Sequence, residues 1–385
     1  MSHGRQDLVS HIPDDAIRDF ASVRVYHYRN VTSARIRLLL VLAALAAAAP
    51  CAVAQAPPGR DTLHVVFVGD LNFARSLARE WIFAGRGDSV LAGVRERLRA
   101  ADIAVGNLES ILLERGRTTD PTGALRFAGP VEAIDLLKDA GFDVVGTANN
   151  HAWDFGREGL LESLLHLDMA GLAHAGTGEN PEAAWRPALV RAKGWTVAVY
   201  SLTAIFNDPS MSVVGLSAEC CVAWADTEVA AREFRAARDS LGADLVLVAL
   251  HAGLEYRPVP PPSVVALARG LIRAGADAVI GAHPHVPQGV ELVDGRPIAY
   301  SLGNFVFHQN SPWTNRGLWA ELTVPPGGGP VLRVVPLVVG YTPRFATGAD
   351  SAAVMAHVDA ISARIAQPRL PNRASGRNVA RPRNP

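Results

Sequence analysis

Helical stretches and short apolar runs alternate along the chain from residue 63 onward. Residues spaced for an amphipathic helix are followed by a turn, an apolar run typical of a buried strand, and a polar cluster. The predicted helices span 89–100, 131–140, 230–241 and 263–274, and the strands after them span 102–105, 142–145, 245–250 and 278–280. A first strand at 63–68 has no preceding helix. Strands this uniformly apolar are typical of a sheet buried on both faces, which predicts an α/β fold.

Residues with metal-binding side chains follow the predicted strands. They are Asp70, Asn107, Glu109, Asn150, His151, His251, His283 and His285. Because ligands collect beyond the carboxyl ends of strands in open α/β sheets, we expect these side chains to share one rim. Imidazoles, carboxylates and amide oxygens suit zinc, iron or manganese. The set together predicts a metal site, although His251 alone would fit a structural histidine and Asp70 alone a helix cap.

The composition is that of a globular chain without a bulk charge. Hydrophobic residues make up 49% of the 385 positions and charged residues 19%, which allows a large core and excludes general disorder. Basic and acidic residues both number 37, so the bulk basic field typical of nucleic-acid binders is excluded. An anionic substrate would therefore have to be held by local positive charge.

The amino-terminal region predicts export. Residues 38–49 are apolar, follow Arg35 and Arg37, and lead to an A-x-A sequence at 52–54. This order is that of a secretory signal, with cleavage expected after Ala54 and a periplasmic or envelope location for the mature chain. An uncleaved anchor is the alternative. Residues 366–385 are rich in Arg and Pro and are expected to form a disordered tail.

Six segments, in this order, resemble the CapA family of bacterial capsule and poly-γ-glutamate biosynthesis proteins. They are Val68-Gly69-Asp70, Gly106-Asn107-Leu108-Glu109, Ala148-Asn149-Asn150-His151 with Asp154 and Gly156, His251-Ala252-Gly253-Leu254-Glu255-Tyr256, Gly281-Ala282-His283-Pro284-His285 and Ser301-Leu302-Gly303-Asn304-Phe305. The resemblance covers about residues 63–345. It implies a four-layer αββα sandwich like that of the calcineurin-like metallophosphoesterases, with a site for two divalent ions such as manganese, zinc or iron.

The resemblance also implies a role for each ligand. Asp70 and His285 would hold the first ion, and Glu109 would bridge both. The second ion would be held by Asn150, His251 and His283.

Further residues are implied around the ions. His151 would be the general acid, with Asp154 orienting its imidazole. Asn107 would hold Glu109 or the substrate, and it would otherwise satisfy a turn. Glu255 and Asn304 would contact substrate from the wall of the site.

Two positions depart from the expected pattern. The phosphoesterases open with Asp-x-His, whereas this chain has Asp70-Leu71-Asn72, so the Asn72 oxygen is a possible substitute ligand. Ala252 stands where the family would have Trp.

The resemblance implies an exported hydrolase of capsule or poly-γ-glutamate biosynthesis that acts on an anionic polymer, together with the capsule machinery. Two alternatives stay open at this point. One is a general periplasmic phosphoesterase, and the other is a non-catalytic scaffold that retains its metals for structure.

Overall fold

The computed structural model describes residues 59–114, 126–207 and 221–366, and in them two large sheets form the centre of the fold. The first sheet has eight strands, in the order β16-β15-β14-β1-β2-β5-β6, with β13 paired to β1. Its strands are β1 (Leu63–Leu71), β2 (Ile103–Leu108), β5 (Val144–Gly146), β6 (Ala173–Ala175), β13 (Asn304–Val306), β14 (Arg316–Val324), β15 (Val331–Val338) and β16 (Arg344–Phe345). Strands β1, β2, β5 and β6 run parallel, and the strands on the β14 side are antiparallel.

The second sheet has six strands, in the order β11-β12-β10-β9-β8-β7. These are β7 (Ala188–Ala192), β8 (Trp195–Thr203), β9 (Leu245–His251), β10 (Ala278–Ala282), β11 (Val290–Val293) and β12 (Arg296–Ala299). Strands β8, β9, β10 and β12 are parallel to one another. A separate small ribbon pairs β3 (Ile111–Leu113) with β4 (Ala128–Pro130).

The helices flank the two sheets. They are α1 (Arg75–Leu77), α2 (Arg95–Ala100), α3 (Glu132–Ala140), α4 (Gly156–Ala170), α5 (Pro181–Ala184), α6 (Thr227–Leu241), α7 (Pro262–Ala274) and α8 (Gly348–Ala366), with a π-helical turn at Ala78–Ile82 and a 3-10 turn at Gly87–Ser89. Among the described residues, no helix combines the length and the apolar character needed to cross a bilayer.

The alternating side chains of β1 show the layer order. Val66 and Val68 pack in the cluster that holds residues of α2, α3 and α4. Val65 and Phe67 point the other way, into the cluster shared with the second sheet. The far face of the second sheet packs against α6 and α7, for example through Phe234. The four-layer αββα sandwich is therefore confirmed, and it explains why the central strands are apolar on both faces.

The element bounds differ from expectation mainly at one helix. The helix expected over 89–100 is regular only from Arg95 to Ala100. Gly93 lies in the part of this stretch that is not regular helix, and glycine is a poor helix former. A Cβ at this position would lie 2.7 Å from the Pro343 carbonyl oxygen, which explains why glycine stands here. At the other end of the domain, α8 packs Val354 into the cluster between the sheets. The predicted signal segment at 1–54 and residues 367–385 of the predicted tail lie outside the described residues.

Candidate metal centre

The carboxyl ends of the central strands bring the predicted ligands together. Asp70 lies near the end of β1, Glu109 directly follows β2, His251 ends β9, and His283 directly follows β10. All four are at most 3% exposed. Sheet register explains this meeting, since Ala282 pairs with His251 across β9 and β10. The site therefore lies where the two sheets face each other.

A close backbone contact fixes Asp70. Its amide donates to the Gly303 carbonyl over 3.1 Å. A Cβ on the preceding Gly69 would lie 1.8 Å from the same oxygen, so only glycine fits before the ligand. β1 is also irregular between Val68 and Asp70 where it pairs with β2.

Two groups of buried side chains could each hold an ion, and Glu109 belongs to both. One consists of Glu109, His251 and His283, and the other of Asp70, Glu109 and His285, with the ligand atoms of each group within 4.8 Å of one another. These are the groupings that the resemblance implied. Asn150 Oδ1 lies 2.7 Å from His251 Nε2, which places the expected amide ligand beside the first group.

The donor set fits divalent cations. Glu109 is fully buried, yet neither carboxylate oxygen has a hydrogen-bond partner. Burial first, and then the Asp70 charge, raises the pKa of the Glu109 carboxyl well above its usual range. Burial and the neighbouring His285 lower the pKa of His283 to about 3, so its imidazole is neutral at pH 7. His251 Nε2 lies 3.5 Å from Glu109 Oε1, too far for a hydrogen bond. A buried carboxylate without a hydrogen bond beside a neutral imidazole is an arrangement that a bound cation would satisfy.

The same environment acts on His251. Burial, and then His283, lower the pKa of this imidazole well below its ordinary value of 6.5. A neutral imidazole keeps a lone pair for a metal, so His251 is also in the state that a ligand needs.

Two buried amides orient the ligands. Asn107 was expected to hold Glu109 or the substrate, but its Nδ2 donates to Asp70 Oδ1 over 2.7 Å and lies 3.1 Å from His251 Nδ1. The reason is register, since Asn107 of β2 pairs with Asp70 of β1. Asn304 was expected to contact substrate, yet it is fully buried and its Oδ1 accepts from His285 Nδ1 over 2.9 Å.

The expected acid pair is formed as well. His151 Nδ1 lies 2.8 Å from Asp154 Oδ2, which also accepts from the Phe127 amide over 2.6 Å. The Phe127 ring packs on the imidazole with centroids 4.0 Å apart. The carboxylate and the ring together fix the orientation of His151.

The two departures from the pattern have structural explanations. Asn72 Oδ1 accepts from the Ala74 amide over 2.9 Å, so its oxygen closes a turn. Ala252 is buried in the cluster between the second sheet and its helices.

A cleft of about 1210 Å³ lies beside the ligand groups, and Asn150, His151 and His285 form part of its wall. Glu255 and Tyr256 line it too, as expected for substrate contacts. Tyr256 accepts from Gln309 Nε2 over 3.2 Å, and Gln309 Oε1 accepts from Asn304, which connects the cleft to His285.

Asn207 is a site residue that sequence analysis missed. Its Oδ1 accepts from Asn150 Nδ2 over 2.9 Å, and its Nδ2 lies 3.4 Å from His151 Nε2. It follows β8 in a stretch without hydrophobic periodicity, so no pattern in the sequence marks it.

The sequence model of the bacterial capsule synthesis protein PGA_cap matches residues 64–309. The chain belongs to this family. It is 30% identical over 281 residues to "Capsule biosynthesis protein CapA" of Bacillus anthracis, covering 72% of this chain and 67% of the relative. It is 32% identical over 258 residues to "PGA biosynthesis protein CapA" of Bacillus subtilis, covering 66% and 65%. The chain thus spans about two thirds of the length of these relatives.

A more distant likeness is seen to a solved structure. The sulfate thiohydrolase SoxB of Thermus thermophilus aligns with a TM-score of 0.44 and 14% identity, over 80% of this chain and 61% of that chain.

Proposed function

We propose that this chain is an exported, metal-dependent hydrolase that acts on an anionic polymer of the poly-γ-glutamate type during its synthesis, export or trimming. Family membership supports the polymer, because the names of the Bacillus relatives refer to capsule and PGA biosynthesis. The proposed reaction is argued from the residues of the candidate metal centre. Export depends on the signal-like sequence before residue 55.

The observation that carries the hydrolase proposal is Glu109. Its fully buried carboxylate has no hydrogen-bond partner and belongs to both candidate ligand groups. A protein that bound no cation here would gain by pairing such a group, because an unsatisfied buried acceptor costs about 1–3 kcal/mol. Cations held by Glu109 would account for both its burial and its lack of a hydrogen-bond partner.

The residues divide into those that hold ions and those that handle the substrate. Asp70 and His285 would hold one ion, and His251 and His283 the other, with Glu109 between them. Bound ions would supply Lewis-acid activation of water and stabilisation of developing negative charge.

His151 supplies the proton in this proposal. Its Nδ1 is bonded to Asp154, which leaves Nε2 to donate to the departing nitrogen or oxygen. Asp154 stabilises the imidazole of His151 while it is protonated, before the proton is transferred. Asn207 lies close enough to the ring to limit its rotation.

The test combines metal content with a substrate panel. Protein purified without chelators is analysed for metals and then assayed on γ-glutamyl peptides and on phosphoesters. We expect up to two divalent ions per chain, loss of at least one in Glu109→Ala and His283→Ala, and cleavage of γ-glutamyl peptides by the wild type.

The matched control is His166→Ala, which removes a partly buried histidine of α4 that belongs to neither ligand group and does not line the cleft. It should keep both the metals and the activity. Absence of metal in the wild type, even after addition of manganese or zinc, would refute the metal centre. Cleavage of phosphoesters alone would replace the proposal by a general phosphoesterase, and metal without turnover on either class would favour the scaffold.

A further inference from the structure

Arg75 is a cation in the wall of the cleft that has no place in the site described so far. It lines the cleft together with His151 and His285. Its guanidinium carbon lies 4.7 Å from the centroid of the Phe127 ring. That ring also packs on the imidazole of His151, at 4.0 Å between centroids. The Phe127 ring therefore contacts both the Arg75 guanidinium and the imidazole of the candidate acid His151.

Within the described residues, the Arg75 side chain has neither an ion pair nor a hydrogen bond. Burial lowers the pKa of its guanidinium, although the charges of Tyr341 and Asp154 oppose this effect. The Asp154 oxygen Oδ2 is already bonded to His151 and to the Phe127 amide. A partly buried cation without an anion is unfavourable, so an anion from outside the protein would be favoured here.

Other partly buried arginines of this fold do have acidic partners. Arg238 pairs with Asp277 at 2.7 Å, and Arg269 pairs with Glu291 at 2.6 Å. Arg75 differs from them in facing the cleft. The cleft wall also holds Arg126, but that residue is exposed, whereas Arg75 is partly buried.

The backbone at Arg75 is also unusual. Its φ is +59°, in the left-handed region that glycine favours. Tyr256, His283 and His285 have positive φ as well, and all three border the site. Strained residues of this kind persist where the surrounding fold holds them, and they concentrate at binding sites. The turn that Asn72 closes immediately before Arg75 is part of that support.

We propose that Arg75 forms a subsite for a carboxylate of the substrate on the leaving-group side of the bond that is cleaved. This inference rests on the proposed function, because His151 marks the leaving-group side. In a γ-glutamyl chain, the carbon attached to the leaving nitrogen also bears the α-carboxylate, so an anion lies next to the reacting amide. A guanidinium can hold such a carboxylate through two parallel hydrogen bonds.

The experiment compares two ligands that differ only in this carboxylate, γ-glutamylglutamate and γ-glutamyl-γ-aminobutyrate. Their binding is measured by calorimetry on metal-free and on manganese-loaded protein, and kcat/KM is measured wherever turnover is found. We expect the wild type to prefer γ-glutamylglutamate by about tenfold to a hundredfold, the range for a hydrogen-bonded charge. Arg75→Gln should bind both ligands equally, at the level of the weaker one.

Two further variants separate the carboxylate contact from general charge. Arg75→Lys should retain part of the preference, because an ammonium keeps the charge but not the paired donors. Arg79→Gln removes a nearby exposed arginine that does not line the cleft, and it should keep the full preference. Circular dichroism verifies that each variant is folded.

Equal binding of the two ligands by the wild type would overturn the subsite, and this comparison needs no variant. Preservation of the preference in Arg75→Gln would overturn it too. Failure of the proposed function gives a different result, since a preference that depends on Arg75 without any cleavage supports the subsite and refutes the hydrolase. Cleavage of both ligands without a preference supports the hydrolase and refutes the subsite.

Discussion

Replacement of Glu109 by Gln should make the metal-free protein more stable. The wild-type carboxylate is fully buried without a hydrogen-bond partner, and Asp70 lies beside it. Gln removes the charge and offers an amide donor to the Asp70 carboxylate. Relief of an unsatisfied buried acceptor is worth about 1–3 kcal/mol, and more when the group is charged. The melting temperature should rise by about 1–2 °C for each kcal/mol in a folded region of this size.

The pH dependence of this effect has a definite sign. Burial raises the pKa of Glu109 in the folded protein above the ordinary value of 4.5 that the unfolded chain has. Below about pH 4.5 both states are protonated, so the charge contributes no difference between wild type and Glu109→Gln. As the pH rises above that value, the unfolded state ionises first and the wild type loses stability. The advantage of the variant should therefore grow from pH 4.5 toward neutrality.

Thermal unfolding followed by circular dichroism, first in chelator and then with manganese, tests this reasoning. Manganese at about a hundred times its Kd should stabilise the wild type by about 2.7 kcal/mol for each bound ion, and it should stabilise the variant less. The control is Glu291→Gln, because that carboxylate is bonded to Arg269 and Tyr300 and should lose stability on the same change. If Glu109→Gln is less stable than the wild type in chelator at pH 7, the carboxylate has a structural partner and the reasoning fails.

Three other predictions concern catalysis, export and packing. His151→Ala should lose about a hundredfold to ten-thousandfold in single-turnover rate while it keeps its metals, and Asp154→Asn should lose less. Joint loss of metal and activity in His151→Ala would instead show that His151 is a metal ligand. The mature chain should begin near Gln55 in the envelope fraction, and mass spectrometry that finds an intact amino terminus would contradict cleavage. Gly281→Ala should destabilise the fold by about 3 kcal/mol, since its Cβ would lie 2.0 Å from a backbone carbonyl, whereas Gly329→Ala, with open space around it, should be neutral in urea unfolding.

The buried strands and the candidate ligands at their carboxyl ends could be predicted from local pattern, whereas the four layers and the two ligand groups were implied by the family resemblance. An apolar run that ends in a polar residue indicates a strand and its carboxyl end, and parallel strands bring such ends to one edge. Asp70 and His251 were found in this way, although 181 positions separate them. The bounds of α6 and α7 were predicted to within a few residues for the same reason.

The hydrogen bonds of the amides could not be predicted, since they depend on register between segments that are distant in the sequence. Asn304 meets Asp70 through the pairing of β13 with β1, and this pairing has no local signal. Asn207 reaches His151 from a stretch without periodicity. The partners of Asn107 were misjudged because the sequence shows that it is near Glu109 but not which side of β2 it faces.

The position of the centre between the sheets links ion binding to the stability of the fold. The first sheet contributes the carboxylates of Asp70 and Glu109, and the second contributes the imidazoles of His251 and His283. Without cations, burial and the Asp70 charge raise the pKa of Glu109, while burial lowers the pKa values of His251 and His283 and so keeps these imidazoles from becoming positive partners. Cations would satisfy both sheets at once. Ion binding should therefore stabilise the contact between the sheets as well as the site itself, and such coupling would explain why a buried carboxylate without a hydrogen bond is tolerated at the centre of the fold.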